Sequence, residues 1–442
     1  MKAVFRASFG AVLCGLLLFV SYTVPSGLPV AILALFLFGL IVVKTPDFRV
    51  RFFSETVFLL VYIVLQYHFL VRLSQNGDIG PILVLLILTI VYIAPFILIR
   101  LLAPRGSYEV TFFALWIADV VFAHLPIGNP LCRYALLLGD YPVLAQWLHW
   151  GGMDGGSLWV LALGALFICL TTGAGSWKLL TAGLLLPIIL SVLIWFQPTS
   201  KERLIRVAVH PFDESPEMRD IYESILEISS DDVDLAVYPE GQIRVSSAEV
   251  AVHPLVTEII RRRRSEKIPD IVIGLLSYDQ GIYDNIVCVM TGKGSYFRRK
   301  QKLVPFSEYL PLEKILEKIE PARSHMAYPQ KTGINESETC NAAGIRICPL
   351  ICYEALFPEY LQKCKNEELD LFIVSSSNSM VNCRHIERLI TKALRINAIW
   401  AGNSFVRCTE HGISSVIDYR GEILWMSTCQ TNWFIIEVPI MS

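Results

Sequence analysis

Charge is scarce in this sequence. Of its 442 residues only 18% are Asp, Glu, Lys or Arg, whereas 54% are hydrophobic. That balance is too apolar for an ordinary soluble protein, and a chain of this length accommodates two units. The deficit is one-sided: of 38 basic and 40 acidic residues, about 17 stand before Ser200. The first half therefore carries nearly all the hydrophobic excess, and the second half reads as soluble. A long Lys/Arg run is also missing, and the formal net charge is -2, which argues against nucleic acid as a partner. The short run Arg261 to Arg264 reads as a solvated helix face. The 11 cysteines include no CxxC pair and no Cys/His spacing of a zinc site, so no metal is expected. Disulfides among them cannot be paired from sequence.

What fills the first half is long apolar runs. A bilayer core about 30 Å thick takes roughly 20 apolar helical residues, because backbone amides in lipid must be satisfied within the segment. Seven runs come close, over residues 7–24, 28–43, 52–71, 81–101, 110–125, 157–171 and 179–196. The second and sixth are short. Positive charge marks the cytoplasmic side. Lys2 and Arg6 place the N-terminus inside, and Lys44, Arg49, Arg51, Arg100, Arg105 and Lys178 fall on inner loops, with Arg72 and Arg133 as exceptions. An odd number of spans then carries everything after Phe196 to the far side, the periplasm of a Gram-negative cell. A cleaved signal peptide is a weaker reading, since no small-residue cleavage site follows the first run. Asp119 lies within the fifth run, where a carboxylate is costly and faces protein or water; a packing role and a functional one are equally open. The loop 126–156 holds Trp147, Trp150, Tyr134, Tyr141 and several glycines, which suits an interface anchor or an aromatic shelf beside an acyl-chain site.

From Leu204 onward, short β-rich runs alternate with polar helical stretches: LIRVAVH, DLAVYPE, DIVIGLLSYD, NIVCVMTG, IRICPLICYE, DLFIVSSSN, then GISSVID and WFIIEVP. The pattern is that of a layered α/β domain. Two of these strands end in a reactive side chain, Glu240 and Cys352, and strand ends are where α/β enzymes expose their chemistry. A nucleophilic cysteine needs its thiolate, hence a base and a nearby cation. Glu240 suits the base. The segment YFRRKQKLVPFSEYLP supplies Lys300, with Glu308 eight residues on. A lysine there would lower the thiol pKa and, with the backbone N–H of Tyr353, hold the negative oxygen of a tetrahedral intermediate. Taken singly, each residue has a bland reading: a buried Cys on an apolar strand is usually inert.

Together, VYPEG, RKQKLVPFSEYLP and LICYEALFPE resemble the Glu, Lys and Cys motifs of the nitrilase, or carbon-nitrogen hydrolase, superfamily. LVPFSEYLP and the seven preceding runs are similar to its apolipoprotein N-acyltransferase branch. The resemblance covers nearly the whole chain. It implies an N-terminal helical transmembrane bundle of about seven helices over residues 1–199 and a periplasmic catalytic domain over 200–442 with a nitrilase-type αββα sandwich. It implies Glu240 as general base, Lys300 as oxyanion-stabilising cation and Cys352 as nucleophile, supported by Glu308, Tyr353 and Glu354; Lys302 is the rival for the lysine role. The activity implied is ping-pong transfer of an acyl chain from a phospholipid, through a thioester, to the N-terminal amine of a diacylglyceryl-cysteine lipoprotein. No cofactor is expected, and the chain is expected to be a monomer of the bacterial inner membrane.

Three departures from the family stand out. Where an aromatic lid motif resembling NDAWFG is expected, the chain reads SNSMVNCRH. RCTEHGIS replaces a run resembling RxTNxGxS, so Glu410 stands where an Asn is expected, while Arg407 and Gly412 remain. The sequence stops at Ser442 without a final membrane span. Some plasmid-encoded conjugal-transfer membrane proteins also resemble this branch. Two further readings remain: an amide hydrolase using the same residues, and a non-catalytic membrane protein in which the triad is a relic.

Overall fold

Each of the seven apolar runs is helical, the third of them as two helices divided at Tyr67. The structure is a computed structural model. It describes all residues except 1, 74–79, 105–106, 174–176, 198–201, 212–216, 229–230, 247–253, 264–267, 312–329, 334, 336, 380–382, 429–431 and 442. The chain divides into two compact units, one built mainly on Met1–Gln197 and the other mainly on the C-terminal remainder.

The first unit holds α1 (Lys2–Thr23), α2 (Leu28–Lys44), α3 (Phe48–Gln66), α4 (His68–Leu73), α5 (Gly80–Leu102), α6 (Tyr108–His124), α7 (Pro142–Ala145), α8 (Leu148–Thr172) and α9 (Trp177–Trp195). Local signals set several ends. Asp47 caps α3 by accepting from the Val50 N–H at 3.0 Å, which satisfies one orphan donor. Helix α8 begins nine residues before its apolar run because a short helical segment precedes a break at Gly152, φ 54°. Among the described residues, Val4–Thr23, Gly80–Leu102 and Leu148–Thr172 are long and apolar enough to cross a membrane, and Leu28–Lys44 and Leu180–Trp195 are shorter apolar helices.

Charge inside this unit is paired. Glu55 meets Arg100 at 2.9 Å and Thr111 at 2.7 Å, all buried. Asp119 accepts from Arg133 at 2.7 Å and from the Tyr134 N–H at 3.3 Å. It thereby ties the irregular segment 129–141 to α6. Tyr22 and Tyr62 donate to the carbonyls of Arg133 and Cys132, and Ser157 accepts from the Ala135 N–H. Side chains thus satisfy backbone groups that the segment, lacking α-helical geometry, cannot satisfy itself.

The second unit carries β1 (Glu202–Val209), α10 (Met218–Leu226), β2 (Leu235–Val237), β3 (Ile243–Ser246), α11 (Pro254–Arg263), β4 (Asp270–Asp279), β5 (Ile282–Thr291), β6 (Gly294–Arg299), β7 (Cys340–Ala342), β8 (Ile345–Ile351), α12 (Pro358–Lys365), β9 (Leu371–Ser377), α13 (Arg384–Ala401), β10 (Ser404–Glu410), β11 (Ile413–Ile417), β12 (Ile423–Thr428) and β13 (Phe434–Met441). One sheet runs β13-β1-β2-β4-β5-β6, with β3 beside β4, and the other runs β12-β11-β10-β9-β8-β7. Strands β1, β2 and β4 are mutually parallel, as are β8, β9 and β10. Parallel neighbours need crossover connections, here helices, which must lie on a sheet face.

The sheets pack inner face to inner face through Val207, Val237, Val272, Ile347, Ile373 and Val406. Burying each such side chain contributes about 1.5–3 kcal/mol. Residues of alternate parity on the first sheet, among them Ala236, Ile271 and Ile273, pack instead with Ile221 and Ile225 of α10 and Val256 and Ile259 of α11. The domain is an αββα sandwich. Arg261 and Arg262 pair with Glu258 one turn back on α11, a helix-face arrangement; Arg264 lies outside the described residues. Cys348 of β8 and Cys364 of α12 form a disulfide with a Cα separation of 6.1 Å, closing a ring that contains Cys352.

Candidate active site

The C-terminal ends of parallel strands β2, β8 and β9 deliver Glu240, Cys352 and Ser377, and the end of antiparallel β6 delivers Lys300. Glu240 follows β2 on a turn pressed against β4. A Cβ at Gly274 of β4 would stand 2.5 Å from the Glu240 Cα and 2.6 Å from the Pro239 carbonyl oxygen, so only glycine allows the turn this close. The Glu240 carboxylate accepts three hydrogen bonds. Its Oε1 accepts from Asn285 Nδ2 at 2.5 Å and Lys300 Nζ at 3.2 Å, and its Oε2 from the Ser377 N–H at 2.9 Å. Lys300 follows β6 directly and is 1% exposed. Its Nζ also donates to Glu308 Oε1 at 2.6 Å. Glu308 is held in turn by the Val304 N–H at 2.8 Å and Gln330 Nε2 at 3.0 Å.

A buried ammonium between two carboxylates is the arrangement that burial of charge demands. Burial pulls the Lys300 pKa down, but Glu240 and Glu308 outweigh it and hold Lys300 above the ordinary lysine value. Burial pushes Glu308 up, against the opposing pull of Lys300. Lys302, the alternative lysine, lies over the Phe357 ring at 4.5 Å.

Cys352 follows β8 directly with φ 48° and opens a short 3-10 turn, Cys352–Leu356. A non-glycine residue in that region is sparsely populated, and such residues cluster at functional sites. Its Sγ lies 3.9 Å from the Ser377 carbonyl oxygen. Burial pushes the thiol up to about 12; Glu240 and Glu308 add to the rise, and Lys300 and Arg407 oppose it. The residue nonetheless keeps part of its surface exposed. At neutral pH the sulfur therefore rests as a thiol that a base must deprotonate during attack. The rate of alkylation by iodoacetamide is expected to keep climbing past the ordinary thiol value of about 8.5, read against Cys352→Ala as blank. A rate that levels off below about pH 7 would show a resting thiolate instead.

Glu354 braces the backbone on both sides of the site. It accepts from Arg298 at 2.5 Å, the Gln301 N–H at 2.6 Å and the Ile351 N–H at 2.9 Å, which joins the strand end before Lys300 to the one before Cys352. Tyr353 packs edge-on against Phe357 at 4.7 Å. The structure thus brings Glu240, Lys300 and Glu308 into direct contact and sets Cys352 in their field. Met380, Val381 and Asn382 of the altered lid motif lie outside the described residues.

Sequence reasoning missed Asn285, Ser377 and Gln330. Asn285 was visible as an amide entering an apolar strand, but no spacing tied it to Glu240, 45 positions away. Among the described residues, no group of three or more His, Cys, Asp or Glu is placed to hold a metal.

With this sandwich and these strand-end residues in view, residues 203–440 match the family described as carbon-nitrogen hydrolase, and the chain belongs to that family. Residues 14–166 match a second family, the apolipoprotein N-acyltransferase N-terminal domain. The chain is 28% identical over 210 residues to an apolipoprotein N-acyltransferase of Pseudomonas putida, covering 45% of this chain and 39% of that one. It is 28% identical over 208 residues to one of Vibrio parahaemolyticus, covering 44% and 39%. The match thus spans well under half the length of these relatives, and neither is a conjugal-transfer protein. A crystal structure of an amidase from Nesterenkonia sp. superposes with a TM-score of 0.38 at 16% identity, over 53% of this chain and 90% of that one.

Proposed function

We propose that this chain is a membrane-bound N-acyltransferase of lipoprotein maturation. It takes an acyl chain from a phospholipid onto Cys352 as a thioester and passes it to the N-terminal amine of a diacylglyceryl-cysteine lipoprotein. The observation that carries this reading is the buried contact of Lys300 with Glu240 and Glu308, formed in a chain whose N-terminal half is built of apolar helices.

In the first half-reaction Glu240 takes the thiol proton and the sulfur attacks the ester carbonyl carbon. The Lys300 ammonium and the Tyr353 N–H receive the negative oxygen. The carbon–oxygen bond to the glycerol breaks, and Glu240 returns its proton to the departing lysophospholipid. In the second, an amine attacks the thioester, loses a proton to Glu240, and the sulfur leaves to be reprotonated. Glu308 keeps Lys300 aimed, and Glu354 keeps the two strand ends in register.

Residues 1–199 form the membrane bundle and 200–442 the catalytic domain, on the periplasmic side of the inner membrane. The Cys348–Cys364 disulfide supports an oxidising compartment, and the distribution of Lys and Arg agrees. The partners are a phospholipid and a lipoprotein, and the chain acts as a monomer.

The test supplies the purified chain with labelled phosphatidylethanolamine and a diacylglyceryl-cysteine peptide. Acyl label on the peptide amine is the expected result. Release of free fatty acid with no peptide acylation would replace this reading with a hydrolase acting through the same residues.

A further inference from the structure

Ser377 is the last residue of β9, and its main chain touches both groups assigned to the chemistry: the N–H meets Glu240 Oε2 at 2.9 Å and the carbonyl oxygen lies 3.9 Å from Cys352 Sγ. A small rotation of this segment would move the base and the nucleophile relative to each other. The parallel ladder that holds β9 to β10 ends at the pair Ser377–Glu410. Past that pair, among the described residues, no further strand pairing holds the segment.

Glu410 supplies two contacts at this point. Its carbonyl oxygen accepts from the Asn378 N–H at 3.0 Å, and its side-chain Oε2 accepts from Ser377 Oγ at 2.7 Å. The Ser377 hydroxyl also approaches Ser379 Oγ at 3.2 Å. A hydroxyl bonded to a carboxylate makes a short, charge-assisted bond, stronger than one between neutral groups. Glu410 is buried, and its bond to Ser377 is partly buried. Its position is also the one at which the sequence departs from the RxTNxGxS pattern.

We infer that Glu410 is a positioning residue: through the Ser377 hydroxyl it sets the orientation of the peptide groups that hold Glu240 and Cys352 together. The main charges acting on the thiol belong to Glu240, Lys300, Glu308 and Arg407, and the route for Glu410 is contact through Ser377. This rests on the reading of Glu240 as base and Cys352 as nucleophile.

The experiment measures single-turnover acyl-adduct formation from labelled phosphatidylethanolamine, together with the KM for that donor. The proteins are Glu410→Ala, Glu410→Gln, Ser377→Ala, the double alanine variant and Cys352→Ala. Losing this bond is expected to slow adduct formation about tenfold in each single alanine variant, with KM unchanged. The double variant is expected to be no slower than either single one, because both remove one bond. Gln keeps an accepting oxygen and is expected to restore the rate to within about threefold. Ser377→Ala removes a single oxygen atom and keeps the test decisive if Glu410→Ala does not fold.

A wild-type rate in Ser377→Ala, multiplied effects in the double variant, or Gln as slow as Ala would overturn the positioning role. If Cys352→Ala also forms the adduct, the nucleophile assignment falls. If Cys352→Ala is inert while Ser377→Ala and Glu410→Ala keep the wild-type rate, only the role of Glu410 falls.

Discussion

Replacing Cys352 by alanine is expected to lower acyl transfer by about 10⁴-fold or more, the scale seen when a covalent nucleophile is removed, while the protein remains folded. Two neighbouring polar groups of the site are already engaged: the Ser377 hydroxyl is bonded to Glu410, and Lys300 Nζ is bonded to two carboxylates as a charged ammonium with no lone pair to offer. Cys352→Ser is expected to lie close to the alanine variant. A buried serine hydroxyl is a far poorer nucleophile than sulfur, and the Glu240 carboxylate would have to remove a much less acidic proton. Release of lysophospholipid from labelled donor reads the rate directly. Turnover within tenfold of wild type in the alanine variant would remove covalent catalysis from the mechanism.

Lys300→Met is expected to damage both stability and activity. It leaves Glu240 and Glu308 facing each other around a space that held a cation 3.2 Å from one and 2.6 Å from the other. Breaking a buried pair by removing one partner typically costs about 3–5 kcal/mol, and losing an oxyanion donor about 10²–10³-fold in rate. The two effects separate on adding Glu308→Gln to Lys300→Met. Removing one of the facing charges is expected to recover part of the stability, measured by denaturant unfolding, while the rate stays lost. If the rate recovers with the stability, Lys300 is a structural cation and the oxyanion role fails.

Much of the architecture was readable because periodicity and composition are local. The seven apolar runs are all helical, one of them split at Tyr67, and Glu240 and Cys352 stand just past the ends of β2 and β8. The preference for Lys300 over Lys302 came from a resemblance in spacing, and the contacts give it a physical basis: one Nζ lies between carboxylates and the other over Phe357. What stayed hidden depends on register between distant strands. Ser377 meets Glu240 across 137 positions, and Asn285 meets it across 45; no local pattern encodes either pairing. The start of α8 was missed because the polar, glycine-rich stretch before residue 157 lacks the apolar run that signals a span, yet it is helical on both sides of a break at Gly152. The Cys348–Cys364 pairing likewise depends on α12 folding back on β8.

The claim on which the rest depends is that the sulfur of Cys352 carries the acyl group. Incubation with phosphatidylethanolamine alone, followed by peptide mass mapping, tests it most directly. The account predicts one added acyl mass on the peptide containing Cys352, removed by neutral hydroxylamine and absent from Cys352→Ala. An acyl mass on any other residue, or sustained transfer with Cys352 never modified, would contradict it.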